Sequence, residues 1–368
     1  MKKLEHSELI FYFEIKIETI QKGEDMGGST IKEVAKMAGV SVGTVSRYIN
    51  GFSVKEKNKK HIESAITKLD FETNYLAQGL RSKKTNSIGV LVPDIGDIFV
   101  TQVIEGIETI LNEHNFSTII CSSQNQWNVE SEKLDFLRKK QVDGIILMPT
   151  SSIYKHIKDF EKHGIPLILI DRIFDRVSLN AVVCNNITGS FEGVSEIINR
   201  GHKDIAIITG PKTVYTSKQR LQGYKMAFEE KDMKLNVDYI KYTDFTEVES
   251  YRAMKELMKL PKKPSAVFAT NYKTTLGCLR YMYDEGLEIG EDVSILGYDQ
   301  SDLFKMIKPQ ISVIYQPTQL IGIEAAKSVL EKTSGDNKEK RSVKMLETKL
   351  LITDSIKRLK LVSKKNNI

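Results

Sequence analysis

Cysteine, proline and tryptophan are scarce in this chain, whose 368 residues include three, eight and one of them, respectively. The three cysteines, Cys121, Cys184 and Cys278, are too few and too widely spaced for a zinc module. Their odd number also means that they cannot all pair with one another in disulfides. We therefore expect three buried thiols in a protein of the reducing cytoplasm.

Long apolar segments and catalytic signatures are also missing from the sequence. The N-terminal stretch LIFYFEIKIETI is interrupted by Glu14, Lys16 and Glu18, so it predicts neither a signal peptide nor a membrane-spanning helix. The chain has no G-x-G-x-x-G after a strand, no G-x-x-x-x-G-K-S/T and no H-E-x-x-H. Its six histidines lack ligand spacing. We expect no enzyme, no cofactor, no metal site and no membrane association.

One stretch of the sequence is typical of two short helices joined by a tight turn: residues 30–50, TIKEVAKMAGVSVGTVSRYIN. Thr30 can cap the first helix, Gly39 can end it with left-handed backbone, and Ser41 can cap the second. The spacing then leaves four residues on the outer face of the second helix: Val42, Gly43, Ser46 and Arg47. This pattern predicts a helix-turn-helix whose second helix enters a DNA major groove, and the alternative is an ordinary helical hairpin.

Positive charge is concentrated in the same part of the chain. The whole sequence carries 54 basic and 48 acidic side chains, and residues 30–87 alone hold eleven basic and five acidic ones. The remainder is therefore neutral. A solvated basic face is the ordinary explanation of a lysine cluster, but an excess confined to the helix-turn-helix segment favours a surface that contacts DNA phosphates.

The motifs AGVS and TVSR, followed at matching spacing by N-x-x-A-x-x-L, resemble the start of a LacI/GalR-family transcriptional regulator. The resemblance runs from about residue 30 to about residue 353. It implies a third helix near residues 57–69 and a hinge helix at residues 74–81, where Leu80 holds the position of the leucine that wedges into the minor groove. Gln78 stands where many members of the family have arginine. The usual V-S-x-x-T-R start of the third helix is also changed in this chain, where Lys55 and Lys59 occupy two of its positions.

The helix pattern and the resemblance together assign thirteen residues to DNA binding. Val42 and Gly43 hold the two positions that most often choose bases in the family, and neither has a polar side chain. Base choice is therefore expected to rest on Arg47, on contact of Val42 with a thymine methyl group, and on DNA shape. The complete set is Thr30, Ser41, Val42, Gly43, Thr44, Ser46, Arg47, Asn50, Lys59, Asn74, Ala77, Gln78 and Leu80.

After Ser87 the sequence alternates between short apolar runs, such as IGVLVP, DGIILMP and SILGY, and helical stretches. Apolar runs without polar alternation are typical of parallel strands buried on both faces. About 265 residues are more than one open sheet usually needs, so two lobes are expected. We predict an α/β fold with an N-terminal helix-turn-helix headpiece and, as the resemblance implies, a two-lobed periplasmic-binding-protein-like domain with parallel sheets.

Loops that follow the strands supply the candidate effector site, because such sheets bind ligands at the carboxyl ends of their strands. The resemblance gives ligand-binding roles to Arg220 and Asp299. For Asp171 and Arg172, ligand contact and an internal salt bridge are equal alternatives, and for the aromatic candidates the alternative is core packing. The candidates are Asp94, Phe99, Trp127, Asp171, Arg172, Arg220, Phe245 and Asp299.

These patterns divide the chain into an extension (1–28), a DNA-binding domain (29–73), a hinge and linker (74–87), effector-binding lobes (88–354) and a solvated basic tail (355–368). The extension precedes the point at which members of the family usually begin. Residues KGED before Met26 can be encoded by a ribosome-binding sequence, which predicts that translation starts at Met26. Alternatively, FEIKIETI alternates like a strand and forms a small arm.

We expect a homodimeric repressor that binds double-stranded operator DNA and is controlled by a small molecule, a sugar or sugar derivative, bound between the lobes. The sequence also allows two alternative functions. One is a catabolite-control-type regulator that uses a phosphorylated carrier protein as corepressor, and the other is a carbohydrate-binding protein without gene control.

Overall fold

The computed structural model describes residues 29–49, 51–71, 84–174, 179–334 and 342–359. The chain forms two units, residues 1–81 and 82–368, and each is considered separately. The extension, the whole of the expected hinge helix and five DNA-binding candidates, Asn50, Asn74, Ala77, Gln78 and Leu80, lie outside the described residues. Their roles stay predictions.

The helices of the described residues are α1 (Ile31–Ala38), α2 (Val42–Ile49), α3 (Glu56–Lys68), α4 (Ile98–Glu113), α5 (Trp127–Lys139), α6 (Lys155–Glu161), α7 (Asn186–Asn199), α8 (Tyr215–Glu230), α9 (Glu247–Met258), α10 (Tyr272–Asp284), α11 (Asp302–Met306) and α12 (Thr318–Thr333). The strands are β1 (Ser87–Val92), β2 (Ser117–Ser122), β3 (Gly144–Leu147), β4 (Leu167–Ile170), β5 (Asn180–Cys184), β6 (Ile205–Thr209), β7 (Ile240–Tyr242), β8 (Ala266–Ala269), β9 (Ser294–Tyr298), β10 (Ser312–Tyr315), β11 (Val343–Leu346) and β12 (Lys349–Leu351). None of these helices is long and apolar enough to cross a bilayer.

The first unit contains the helix-turn-helix that the sequence predicts. Thr30 and Glu33 form a reciprocal capping box at the start of α1, and Gly39 ends that helix with a φ of 64°. The Ser41 hydroxyl accepts a hydrogen bond from the Thr44 amide at 3.1 Å, so it caps α2 as expected. The apolar faces of α1, α2 and α3 bury a small core made of Val34, Ala35, Ala38, Val45, Ile62 and Ala65.

The second unit contains two six-stranded sheets, which confirms the expected two lobes. The sheet of the first lobe has the order β11-β5-β4-β3-β1-β2 and is parallel throughout. The sheet of the second lobe has the order β12-β10-β9-β8-β6-β7, and only β12 is antiparallel to its neighbour. Central strands such as β3, β4 and β8 are buried along their whole length, as their apolar sequences predict.

The chain passes between the lobes three times, from β5 to α7, from β10 to α12, and from β11 to β12. Helix α7 packs on α8 in the second lobe, and α12 packs on α4, β3, β4 and β5 in the first lobe. Each lobe is therefore built from separate stretches of sequence.

The boundary of the solvated tail at residue 355 is wrong. Ser355 and Ile356 are fully buried, and the Ser355 hydroxyl donates a hydrogen bond to the Ile295 carbonyl at 2.8 Å. The Leu359 amide donates to the Arg200 carbonyl at 2.8 Å. Ile356 packs in the core of the second lobe, and the hydrogen bonds of Ser355 and Leu359 pair backbone groups of the same lobe, so residues 355–359 belong to it.

The closest helix approach in the first lobe joins α4 to α12 at two glycines. A Cβ atom added at Gly322 would lie 2.1 Å from the Val103 carbonyl oxygen, and one added at Gly106 would lie 2.2 Å from the Gln319 carbonyl oxygen. Both obstacles are backbone atoms, which cannot rotate away, so glycine permits this packing.

Gly322→Ala tests this approach. Alanine favours a helix over glycine by about 1 kcal/mol, but separating α4 from α12 costs about 1–3 kcal/mol. We expect a net loss of stability and a lower thermal midpoint in calorimetry. Lys327→Ala, on the exposed side of α12, is the control. A midpoint that rises in Gly322→Ala would contradict the close packing.

Candidate functional sites

The headpiece presents part of the predicted DNA-reading face to solvent. Gly43 and Arg47 are exposed on α2, and Lys59 is exposed near the start of α3. Val42 and Ser46 are only partly exposed, and Val42 packs against the small core, so the expected outer position of Val42 is only partly correct. Thr30, Ser41 and Thr44 take part in the helix caps.

A cavity of about 90 Å³ lies between the lobes of the second unit, at the carboxyl ends of the strands. Seven of the eight effector candidates line it: Asp94, Phe99, Asp171, Arg172, Arg220, Phe245 and Asp299. Further lining residues that the sequence reading did not single out as effector candidates include Asp97, Asn125, Thr216, Asp244, Asn271, Lys273 and Gln316. The structure thus brings together these residues from the segments that follow eight strands: β1, β2, β4, β6, β7, β8, β9 and β10.

Trp127 is the candidate that the structure separates from the others. Its side chain is 48% exposed and does not line the cavity. It is the first residue of α5 rather than part of the loop after β2, and this helix start places the ring away from the cleft.

Three of the lining residues have left-handed backbone, with φ values of 61° at Asp171, 69° at Phe245 and 66° at Asp299. Aspartate tolerates this conformation, but it is strained for phenylalanine. The Phe245 ring covers Gly210, where an added Cβ would lie 2.0 Å from the ring. Strain of this kind is concentrated at functional sites, so the Phe245 backbone supports a role for this loop in binding.

Two contacts join the lobes across the cavity. The Lys273 ammonium of the second lobe lies 2.5 Å from a carboxylate oxygen of Asp94 in the first, and this hydrogen bond lowers the Asp94 pKa. The Arg172 guanidinium of the first lobe lies 5.9 Å from the ring centroid of Phe245 in the second. Arg172 also forms a salt bridge with Asp171, with 3.2 Å between Nε and Oδ2. The internal salt bridge that the sequence allows is therefore present, and both of its residues also line the cavity.

Arg220 is held firmly within the second lobe. Its Nε donates to the Asn186 side chain at 2.8 Å, its Nη1 donates to the Thr270 carbonyl, and its guanidinium stacks 3.6 Å from the Tyr298 ring centroid. The Tyr298 hydroxyl donates to the same Asn186 oxygen. Arg220 therefore organises the floor of the cavity as well as facing it.

Burial governs the charge of two carboxyl groups at the cavity. Burial raises the pKa of Asp299 to about 6, although the nearby Arg220 and a 2.7 Å hydrogen bond from Gln316 oppose the shift. Burial likewise raises the pKa of Asp97, which caps α4 by accepting a hydrogen bond from the Phe99 amide at 2.9 Å.

Two buried acceptor atoms of the cavity lining have no hydrogen-bond partner among the described residues: Oδ1 of Asp171 and Oε1 of Gln316. Their residues are 4% and 1% exposed. An unpaired buried acceptor is costly, so atoms of this kind indicate a place where a ligand supplies the donor.

The described residues contain no group of three or more histidine, cysteine or acidic side chains placed to hold a metal ion. All three cysteines are buried, as expected, and burial raises the pKa of each thiol.

Comparisons with known proteins agree with both units. A family model described as bacterial regulatory proteins, lacI family, matches residues 30–74, and one described as a periplasmic binding protein-like domain matches residues 194–356. Catabolite control protein A of Priestia megaterium is 33% identical over 298 residues, which are 80% of this chain and 90% of that protein.

The chain belongs to the LacI family of bacterial regulatory proteins. The transcriptional repressor PurR of Histophilus somni (strain 129Pt) is 30% identical over 335 residues, 90% of this chain and 100% of that protein. The structure of the transcriptional regulator CelR in complex with cellobiose is 28% identical, covers 89% of this chain and 99% of its own, and has a TM-score of 0.68. This LacI-family chain is therefore a DNA-binding transcriptional regulator with a ligand-binding domain.

The raised pKa of Asp299 predicts a pH-dependent stability. The native state holds this proton more tightly than the unfolded state does, so the stabilisation is present below the ordinary value of 3.8 and is lost as the pH rises to about 6. Asp299→Asn keeps a side chain that tolerates positive φ and accepts a hydrogen bond from Gln316. We expect its free energy of unfolding, relative to the unmodified protein, to rise by about 1–3 kcal/mol between about pH 4 and pH 7.

Urea denaturation at a series of pH values measures this difference. Asp302→Asn, which removes an exposed carboxylate of α11, is the control and should give a nearly flat difference. A flat difference for Asp299→Asn as well would show that Asp299 ionises normally.

Proposed function

We propose that this LacI-family regulator is a repressor whose affinity for operator DNA is set by a sugar or sugar derivative bound between its two lobes. The observation that carries the proposal is the cavity at the carboxyl ends of both sheets, whose lining includes two buried acceptors without partners. Hydroxyl groups of a sugar are suitable donors for such atoms. The cellobiose complex of the related CelR supports this ligand class.

Ligand entry requires the lobes to move in this proposal. The cavity measures about 90 Å³, whereas ligand pockets commonly enclose about 300–1,000 Å³. Admission of a sugar would separate Lys273 from Asp94 and Arg172 from Phe245, which are the contacts across the cavity. The ligand would thus favour one lobe orientation over another, and a coupling free energy of about 1–3 kcal/mol is enough to change DNA affinity.

The operator is read by two headpieces in this proposal. A homodimer with two-fold symmetry presents two copies of α2 to two half-sites of a palindromic sequence. The exposed Arg47 is proposed to contact base edges, and the exposed Lys59 is proposed to contact phosphate.

A thermal-shift screen against sugars, sugar acids, sugar phosphates and nucleobases tests the effector site, because a ligand that binds only the folded state raises the midpoint. We expect at least one midpoint to rise, and we expect Asp171→Asn to remove that rise while retaining tolerance of positive φ. Asp302→Asn, outside the cavity, should retain the full response.

A response that survives Asp171→Asn unchanged would place the ligand elsewhere. If no compound in the panel raises the midpoint, and a phosphorylated carrier protein tightens operator binding, the catabolite-control alternative is supported instead. The 33% identity with catabolite control protein A is the observation that favours this alternative.

Arg47→Ala and Lys59→Ala form a matched pair of tests in the headpiece. Arg47→Ala should reduce discrimination between the best operator and a single-base variant by about 1–3 kcal/mol. Lys59→Ala should weaken all sequences alike and lower the slope of log affinity against log salt by about 1. Competition binding at several salt concentrations measures both. Unaltered base preference in Arg47→Ala would exclude a base contact by this side chain.

A further inference from the structure

Negative charge exceeds positive charge among the described residues that line the cavity. Five carboxyl groups, those of Asp94, Asp97, Asp171, Asp244 and Asp299, face three cationic side chains, those of Arg172, Arg220 and Lys273. The chain outside residues 30–87 is neutral overall, so the excess is a property of the cavity and not of the whole domain.

The three cations of the cavity are already engaged. Lys273 pairs with Asp94 across the cleft, and Arg172 pairs with Oδ2 of Asp171 while its Nη1 donates to the Pro149 carbonyl at 2.9 Å. The hydrogen bonds of Arg220 go to neutral oxygens of Asn186 and Thr270. Among the described residues, Asp97 and Asp299 therefore receive no hydrogen bond from a cationic side chain, although the charges of Lys273 and Arg172 act on Asp97 and that of Arg220 acts on Asp299.

The unpartnered acceptors lie in the same lining. Oδ1 of Asp171 and Oε1 of Gln316 are buried and lack donors. Burial is the main cause of the raised pKa of Asp299, and the like charges of Asp97 and Asp171 add to it, so both of these carboxylates lie near enough to act on Asp299. A bound anion would add to this negative charge in a buried site, at a considerable electrostatic cost.

We propose that the effector carries a positively charged nitrogen, such as the ammonium group of an amino sugar, which donates to Asp171 and offsets part of the negative charge of Asp97 and Asp299. The proposal rests on the proposed function, because it specifies the ligand of the same cavity. An ammonium group supplies three donors and one positive charge, so it can pair with unpartnered acceptors and also lowers the excess negative charge of the cavity from two to one. A neutral hydroxyl satisfies only the acceptors.

Matched sugar triplets test the charge preference. Titration calorimetry of the full chain at constant ionic strength compares glucosamine, glucose and glucuronate, and then the corresponding galactose and mannose series. We expect the amino member of at least one series to bind about tenfold or more tightly than its neutral partner, and we expect the acid to bind least. In Asp171→Asn the advantage of the amino member should disappear, and in Asp302→Asn it should remain.

Equal or tighter binding of a neutral or acidic member would overturn the ammonium proposal while leaving the proposed function intact. Absence of binding by every amino sugar would overturn the amino-sugar assignment. The proposed function itself fails separately, when no ligand of any charge binds in the cavity or alters operator affinity.

A second measurement needs no ligand. If the charge of Asp97 is uncompensated, Asp97→Asn should raise the thermal midpoint, because asparagine still caps α4 and the repulsion is removed. Asp94→Asn, which breaks the pair with Lys273, is the matched comparison and should not raise it. A midpoint that falls in Asp97→Asn would show that this carboxylate is already balanced and would overturn the proposal.

Discussion

The three passages of the chain between the lobes constrain the rest of the second unit. The passage from β5 to α7 begins directly after a parallel strand ends, and so does the passage from β10 to α12. The carboxyl ends of both sheets therefore face the same cleft. Residues that follow most of the strands at this edge line one shared cavity, and motion of one lobe changes the cavity and the passages together.

Several groups that line the cavity lower the stability of the folded protein. Asp171 and Gln316 keep buried acceptors without partners, Phe245 keeps a strained backbone, and Asp299 ionises with difficulty. The first lobe shows the opposite design, since Gly106 and Gly322 let α4 and α12 approach so closely that an added methyl group would overlap backbone atoms. A closely packed lobe thus supports a site whose unpaired acceptors would find their hydrogen-bond donors on a ligand.

The sequence allowed the headpiece, the two parallel sheets and seven cavity residues to be predicted, because caps, apolar runs and strand ends are local signals. Gln316 was missed although it directly follows β10, a position that could have been found by the same rule. Asp97 and Lys273 could not be found in this way, since one caps a helix and the other lies in the first turn of α10. Trp127 was misplaced because the start of α5 lacks a side-chain cap that would have marked it.

The interleaved lobes also determine when this protein can fold during its synthesis. The first lobe needs α12 and β11, which emerge from the ribosome only after nearly the whole second lobe, and the second lobe needs β12 and the buried Ile356. Neither lobe can therefore complete its sheet before the last few dozen residues are made. The headpiece, by contrast, is a contiguous N-terminal unit, so it emerges complete while the domain that controls it is still unfinished.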